Sequence, residues 1–291
     1  MSVVEQTMEP RGPTPEMPAT AQRSELHNSV RRIWAVYIRH AYSLKHSLPG
    51  VFDMLFWPAM DLLLWGLLTV FITSQNVDLP VAVGFLIGGV LLWDIVFRSN
   101  LGIGITFLDD TSWTHNVLNL LVSPLRPSEY IAGAVAWSLS KVLAGWVVML
   151  TIAWLLFDFS ALDLGLPLVF FVLALMIFGT AIGMIVLGII LRFGPGADIM
   201  AWGLAVLMMP ISAVFYPVDV LPGWAQIIAR GLPTSYVFEG MRAILAGKPA
   251  PWGNLGIAFA IDAVYLVAGI AFARSMFGVL RRRGYVTRYM E

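Results

Sequence analysis

The sequence predicts an all-α integral membrane protein with six transmembrane helices. The first observation is composition: of 291 residues, 58% are hydrophobic and only 12% are charged, whereas soluble domains carry about 25% charged residues. The second is that six apolar stretches come close to or exceed the roughly 20 residues that a helix needs to cross a hydrocarbon core of about 30 Å. The third is an uneven distribution of Lys and Arg among the connections, which indicates an orientation.

Composition also excludes several classes of function. Lys plus Arg equals Asp plus Glu at 18 each, so the chain lacks the basic excess with which proteins bind nucleic acid. We therefore expect no nucleic-acid partner. The chain contains no Cys, which excludes disulfides, thiolate metal sites and a cysteine nucleophile.

The N-terminal region divides into a tail and a helix. Residues 1–25 are rich in Pro, Glu and Thr and show no secretory signal pattern, which predicts a disordered cytoplasmic tail. From 26 to 47, apolar residues recur every three or four positions and charged residues occupy the other faces, a pattern typical of an amphipathic helix in the membrane interface. The residues of this helix that we single out are Arg31, Arg32, Trp34 and Arg39.

The six predicted spans cover approximately residues 50–73, 80–98 or slightly beyond, 130–157, 166–192, 197–216 and 255–280. An even number of spans places both termini on one side. Basic residues precede the first span and follow the second, fourth and sixth, whereas the short connections 74–79 and 158–165 carry Asp but no Lys or Arg. The positive-inside rule therefore predicts cytoplasmic termini, with the basic residues of 217–254 as the exception.

The connection after the second span predicts a cytoplasmic amphipathic helix over 110–123. Asp110 or Thr111 can cap it, and Pro124 ends it. The residues that define the helix and its polar start are Asp109, Asp110, Trp113, Val117, Leu120 and Leu121. An apolar stripe in this place contacts either lipid or a protein partner. The acidic start favours a protein over anionic lipid.

The external connection, about 217–250, predicts a re-entrant hairpin. Two apolar pieces, 223–229 and 234–246, are each too short to span and are separated by Gly231 and Pro233. Four charged residues of this connection are possible ion-pair partners near the outer surface: Asp219, Arg230, Glu239 and Arg242.

Charged residues also lie inside the predicted spans. They are Asp53, Asp61, Asp94, Lys141, Asp262 and Arg274. A charge at the membrane centre costs about 2.5–3.5 kcal/mol on insertion scales, so each needs a partner or a function. Asp94 and Arg98 are one helical turn apart, which allows a direct pair. Two interpretations stay open for the group: a substrate route, or structural ion pairs and residues that reach an interface.

No catalytic motif is recognisable. The string nearest to a phosphate-binding loop, 240–248, has the wrong spacing and is followed by Pro249. The four His are scattered, which disfavours a metal site, and no nucleophile elbow is present. We expect a protein that is not itself an enzyme and holds no cofactor.

Two segments carry a resemblance to a known family. Residues 119–130 read NLLVSPLRPSEY, and residues 210–242 contain FYP at 215–217, LPGW at 221–224, LPT at 232–234 and Arg242. Over about residues 28–285 the chain resembles the permease subunit of type-2 ATP-binding cassette (ABC) exporters, which export drugs, lipo-oligosaccharides and polysaccharides.

The resemblance implies two permease copies, expected to be a homodimer, with two cytoplasmic ATPase subunits that bind ATP and Mg. The helix over 110–123 would then be the coupling helix and the helix over 26–47 a gate helix. The external hairpin would shape the exit through Pro217, Pro222, Trp224, Pro233, Glu239 and Arg242.

The expected setting is the bacterial cytoplasmic (inner) membrane and its lipids. The expected cargo is amphipathic: a lipid-linked oligo- or polysaccharide, a glycolipid or a hydrophobic drug. The leader and the entry into the first span depart from the polysaccharide exporters, so a long polymer is not assumed. Two alternatives remain, a membrane scaffold that docks a cytoplasmic protein and a secondary carrier.

Overall fold

The computed structural model describes residues 19–74, 80–114 and 123–283. Within these ranges all regular structure is helical. The α-helices are α1 (Ala19–Lys45), α2 (Leu48–Ser74), α3 (Pro80–Leu108), α4 (Pro127–Phe157), α5 (Leu166–Phe193), α6 (Ile199–Ile211), α7 (Gly223–Arg230), α8 (Pro233–Leu245) and α9 (Trp252–Arg283). A π-helical turn, Asp109–Trp113, continues α3, and 3-10 turns lie at Ala161–Leu164, Pro195–Asp198 and Val218–Val220.

Five of these helices, α2, α3, α4, α5 and α9, are long and apolar enough to cross a membrane. They correspond to five of the six predicted spans. The predicted span 197–216 is shorter than expected: α6 has 13 residues, which rise only about 20 Å. It ends because Ala213 adopts a left-handed conformation with φ 55°, the backbone shape that commonly terminates a helix.

The centre of the molecule is formed by α3 and α5, whose apolar windows are mostly buried, whereas those of α2, α4 and α9 are mostly exposed. Glycines on α5 allow α3 and α5 to approach each other closely. A Cβ added at Gly179 would lie 2.9 Å from the Val96 carbonyl oxygen, and one at Gly183 would lie 2.9 Å from that of Asn100. Gly at this spacing lets two helix backbones touch. The outer helices are thereby arranged around a rigid pair.

The N-terminal helix α1 covers all but the last two residues of the predicted interfacial helix and starts earlier, at Ala19. The helix thus begins before the predicted tail boundary at residue 25, and residues 1–18 lie outside the described ranges. α1 packs along α4 and the start of α2. Its exposed surface carries an apolar stripe, because Leu26, Val30 and Trp34 are 68%, 64% and 57% exposed.

The first residues of the predicted coupling helix, from Asp110, form the π-helical end of α3. Leu108 is still helical, with φ −66° and ψ −36°, and α3 continues into the π-helical turn without a break. Asp110 is therefore not a cap but an internal, buried residue. The Thr111 hydroxyl donates to the Phe107 carbonyl oxygen within the same helix. The predicted coupling residues Val117, Leu120 and Leu121 lie outside the described ranges and stay a prediction.

The external connection contains the two short helices expected for it. α7 and α8 match the predicted pieces 223–229 and 234–246 within one residue at each end of the break. They differ in burial: one face of α8 packs against α3, α5 and α9, whereas α7 lies on the surface with Trp224 65% exposed. The hairpin thus has an inner helix that is part of the core and an outer helix that is not.

Candidate functional site

The C-terminal half of α1 is attached to the end of α3 and the start of α4 by a charged cluster. Arg39 donates from Nη1 and Nη2 to the two carboxylate oxygens of Asp110, each at 2.6 Å. The Tyr130 hydroxyl donates to the same carboxylate at 2.7 Å. Burial alone would lower the pKa of Arg39, but its hydrogen bonds to Asp110 raise that pKa above the ordinary value. The guanidinium therefore stays charged at any physiological pH.

A second pair lies seven residues earlier on α1. Arg32 donates from Nε and Nη2 to the two carboxylate oxygens of Glu129, each at 2.7 Å. Glu129 also accepts from the Ser29 hydroxyl at 2.7 Å and from the Arg126 backbone N–H at 3.0 Å. The latter bond caps α4, which has Pro127 at its first position. One carboxylate thus fixes both the start of α4 and its contact with α1.

Residues seven apart lie on one face of a helix after two turns, so Arg32 and Arg39 face the same side of α1. The two pairs together form what we call the inner clamp. Its members are Arg32, Arg39, Asp110, Glu129 and Tyr130. Bidentate Arg–carboxylate pairs of this kind combine geometric specificity with charge.

Asp110 of the clamp also belongs to the one group of possible metal ligands found among the described residues: His40, Asp109 and Asp110 lie close enough to share an ion. The geometry favours an ion-pair cluster instead. Both carboxylate oxygens of Asp110 already accept bonds from the Arg39 guanidinium, whose charge would repel a metal cation. His40 Nε2 lies 3.3 Å from the same carboxylate.

Beside the clamp lies a cavity of about 820 Å³. Its walls come from the end of α1, α2, α3, the π-helical turn, α4 and α6, with Ile190 from α5. We call it the inner cavity. Its charged or aromatic members, other than His40 of the clamp region, are Asp53, Trp57, Asp61, Phe97, Arg98, Asp109, Trp137, Lys141, Asp198 and Trp202. Cavities of several hundred Å³ with apolar walls and a few polar groups are the usual form of a ligand site.

Four of the charged residues singled out in or beside the predicted spans line this cavity: Asp53, Asp61, Arg98 and Lys141. Another of them, Asp94, lies behind the wall and is 4% exposed. Arg98 Nε donates to its two oxygens at 2.7 and 2.9 Å. Arg98 therefore presents to the cavity a charge that is already neutralised.

The Lys141 ammonium has a different environment. It lies 5.7 Å from the centre of the Trp137 ring, within the range of a cation–π contact. In the described part of the chain no hydrogen-bond acceptor or carboxylate pairs with it directly. Asp109 and Asp53 act on it only at longer range. Lys141 is the cavity's unpaired cation among the residues that the structure describes.

On the opposite side of the fold, the segment after α6 is bound to α8. Thr234 donates to the Ser212 hydroxyl at 2.9 Å, and Arg242 Nη1 donates to the carbonyl oxygens of Ala213 and Val214 at 2.8 and 3.3 Å. The Val218 N–H donates to Glu239 at 2.9 Å. We call this set, Ser212, Ala213, Val214, Val218, Thr234, Glu239 and Arg242, the outer latch.

Within the latch Arg242 and Glu239 also form an ion pair at 3.1 Å. Burial lowers the pKa of Arg242, and the nearby Glu239 carboxylate offsets part of that effect. The other two predicted charges, Asp219 and Arg230, form no ion pair within the described ranges. The Asp219 carbonyl oxygen accepts from Gln226 at 3.3 Å, and Arg230 lies 3.4 Å from the same side chain.

The remaining hairpin residues shape the backbone. Pro217 precedes the 3-10 turn and Pro222 precedes α7, both in an extended conformation. Pro233 is buried at the first position of α8, where Pro is favoured because no N–H is needed there.

The sequence profile of the ABC-2 type transporter family matches residues 34–246, which is more than two thirds of the chain. The chain belongs to this family. The match runs from the middle of α1 to the end of α8 and so includes the inner cavity, the outer latch and all of the clamp except Arg32. A search of curated proteins returned no match.

Membership makes this chain the permease component of an ABC transporter, a multi-pass membrane protein that works with an ATP-binding cassette subunit. In this ABC-2 permease, two residues singled out on α1 lie outside the clamp: Arg31 is exposed, and Trp34 stacks on Tyr37 with ring centres 5.0 Å apart.

Sequence reasoning missed Glu129, Tyr130 and His40, and it did not connect Asp198 and Trp202 with the intramembrane charges. A signal for Glu129 was present. Pro127 followed two residues later by an acidic residue is a helix-start pattern, and Glu129 stands at the third position. No local signal marks His40, because its role depends on the approach of α3 to α1.

Proposed function

We propose that this ABC-2 permease exports an amphipathic cargo, which enters through the inner cavity and is driven by ATP hydrolysis in a partner subunit. The observation that carries the proposal is the composition of that cavity: about 820 Å³ lined by Trp and Phe rings together with carboxylates and cations. A cavity with both kinds of wall suits a molecule with both kinds of surface. A scaffold protein has no need of such a cavity.

The proposed orientation has both termini in the cytoplasm of a bacterial cell and the permease in its inner membrane. In this arrangement α6 and the segment after it form the sixth crossing, and α7 with α8 re-enters from outside. The absence of Lys and Arg from 158–165, between α4 and α5, supports it. The inner cavity then faces the cytoplasmic half of the bilayer, where a cargo made in the cell begins its export.

The proposed coupling uses the inner clamp. An ATPase subunit that binds the 110–123 region pushes on the π-helical turn, which contains Asp110. Through its two bonds to Arg39, Asp110 passes this displacement to α1, the proposed gate helix, whose C-terminal end borders the cavity. Two permease copies and two ATPase subunits make the proposed complex. ATP and Mg bind in the ATPase subunits.

The experiment is purification of the tagged full chain from its host in lipid nanodiscs, followed by mass spectrometry and an ATP hydrolysis assay. We expect an ATP-binding cassette protein in near-equal amount and hydrolysis that vanadate inhibits. The matched pair of variants is Asp110→Ala, in the clamp, and Asp163→Ala, in an exposed connection. We expect Asp110→Ala to lower hydrolysis several-fold and Asp163→Ala to leave it unchanged.

Two results would contradict the proposal. A preparation that retains no ATPase subunit in either detergent or nanodiscs removes the driving partner. Equal hydrolysis in the wild-type and Asp110→Ala complexes removes the clamp from the coupling route.

A further inference from the structure

The inner cavity has an excess of negative charge. Its lining includes four carboxylates, Asp53, Asp61, Asp109 and Asp198, and two cations, Arg98 and Lys141. The charge of Arg98 is balanced by Asp94, which lies behind the wall.

None of the four lining carboxylates has an ion-pair partner within 4 Å in the described ranges, so one unpaired ammonium faces four carboxylates. A charge excess of this kind attracts ligands of the opposite sign.

Asp61 is the most informative of these carboxylates. It is the fourteenth residue of α2, about 20 Å along a helix that starts at Leu48, and therefore near the middle of the span. It is exposed in the chain and open to the cavity. A carboxylate at this depth is costly unless a counter-charge meets it. Among the described residues, the cation that acts on Asp61 is the distant Arg98, which is already paired.

The aromatic wall of the cavity is also suited to a cation. Three Trp residues, Trp57, Trp137 and Trp202, line the cavity together with Phe97, and Phe97 meets Trp202 edge to face at 5.2 Å. The faces of such rings attract cations. The chain itself demonstrates the effect, because the Lys141 ammonium lies 5.7 Å from the centre of the Trp137 ring.

We infer that the inner cavity binds an amphipathic organic cation, with its charged centre at Asp61 and its apolar part against the Trp and Phe rings. The inference rests on the proposed function, since it names the class of cargo for that cavity. An anionic headgroup would meet four carboxylates and only one unpaired cation. The cavity therefore selects lipophilic cations over lipophilic anions.

The test uses a pair of probes of nearly equal shape and opposite charge, tetraphenylphosphonium and tetraphenylborate. Binding of each radiolabelled probe is measured by equilibrium dialysis to the full chain in its complex, in nanodiscs of zwitterionic phosphatidylcholine. Empty nanodiscs give the membrane partition to subtract. We expect saturable binding of the cation at least about tenfold tighter than that of the anion.

Three variants locate the site. Asp61→Asn should weaken cation binding about tenfold, whereas the control Asp163→Asn should leave it unchanged. Lys141→Gln removes the competing ammonium and should tighten cation binding about threefold, an effect of opposite sign that a loss of folding does not imitate. Where Asp61→Asn fails to fold, Asp53→Asn serves in its place, with an expected loss of about threefold.

Equal or tighter binding of the anion would overturn the inference, and so would unchanged cation binding in both Asp variants. Weaker cation binding in Lys141→Gln would also contradict it. These outcomes are distinct from failure of the proposed function, because the dialysis needs no ATP hydrolysis. An active complex that prefers the anion keeps the transport proposal and removes the cationic cargo.

Discussion

The inner clamp and the outer latch hold the molecule together in different ways. In the clamp Arg32 and Arg39 each bind a carboxylate, and their side chains remain 28% and 32% exposed. In the latch one ion pair, Arg242 with Glu239, accompanies bonds to the main chain and to a buried hydroxyl, and Ser212 and Thr234 are fully buried. Water reaches the partly exposed guanidinium groups of the clamp and can replace part of their bonding, whereas broken buried backbone bonds in the latch leave unsatisfied groups. We therefore expect the clamp to move and the latch to stay.

The largest expected effect breaks the latch. Arg242→Met removes the side-chain donor of the Ala213 and Val214 carbonyl oxygens and breaks the ion pair with Glu239. At about 1–3 kcal/mol for each buried group left unpaired, the free energy of unfolding should fall by about 3 kcal/mol or more. The measurement is thermal or denaturant unfolding of the purified permease in detergent.

The matched control for this variant is Arg230→Met, which changes an exposed Arg of the same hairpin and should alter stability by less than about 0.5 kcal/mol. Equal losses in the two variants would mean that the latch bonds do not stabilise the fold.

A smaller effect is expected for the clamp. Asp110→Asn keeps the shape of the side chain but removes the charge that holds Arg39, so stability should fall by about 2 kcal/mol. ATP hydrolysis by the complex should fall several-fold, which Arg242→Met should not reproduce per folded molecule. If Asp110→Asn lowers stability but leaves hydrolysis unchanged, the clamp stabilises the fold and takes no part in coupling, which would contradict its proposed role.

Ionic strength should weaken the interactions of the clamp more than those of the latch. A double-mutant cycle with Arg32→Gln and Glu129→Gln should give a favourable coupling that shrinks as ionic strength rises. Gln at position 129 still accepts the Arg126 N–H and so keeps the cap on α4. A cycle on Ser212 and Thr234 in the latch, with Ala and Val, should be insensitive to salt. Equal salt dependence would contradict the contrast.

The smallest effect serves as a control for the clamp. Arg31→Gln changes an exposed residue beside Arg32. Arg31 forms no ion pair in the described ranges. The free energy of unfolding should change by less than about 0.5 kcal/mol, and the rate of ATP hydrolysis by less than twofold. An effect equal to that of Arg32→Gln would show that the bulk charge of α1, and not the clamp geometry, is what matters.

Sequence patterns predicted most of this architecture, because the strongest signals are long apolar runs and Pro–Gly breaks. α2, α5 and the two hairpin helices all follow from them within a few residues. The end of α6 did not follow, because Ala213 carries no local signal for a left-handed turn. The bonds from Arg242 and Thr234 hold it in that turn, and both residues lie more than 20 positions away.

The candidate site was predicted only in part, because local patterns reveal unusual residues but not their distant contacts. The rarity of charges in apolar helices drew attention to Asp53, Asp61 and Lys141, which do line one cavity. Asp110 was noticed but misinterpreted as a helix cap, because its partner Arg39 is 71 residues away. A contact at that distance depends on how the helices pack, which local patterns do not contain.

The central claim, that the clamp moves while the latch stays, can be measured directly because the chain has no native Cys. Spin labels at Arg31→Cys and Ser128→Cys report on the clamp, and labels at Asp219→Cys and Lys248→Cys report on the latch; all four positions are exposed.

Distances are recorded by pulsed electron paramagnetic resonance in the complex, without nucleotide and after vanadate trapping with ATP. The account predicts a change of about 5 Å, the size of a one-turn helix shift, for the clamp pair and less than about 2 Å for the latch pair. An unchanged clamp distance, or a latch distance that changes more than the clamp distance, would contradict it.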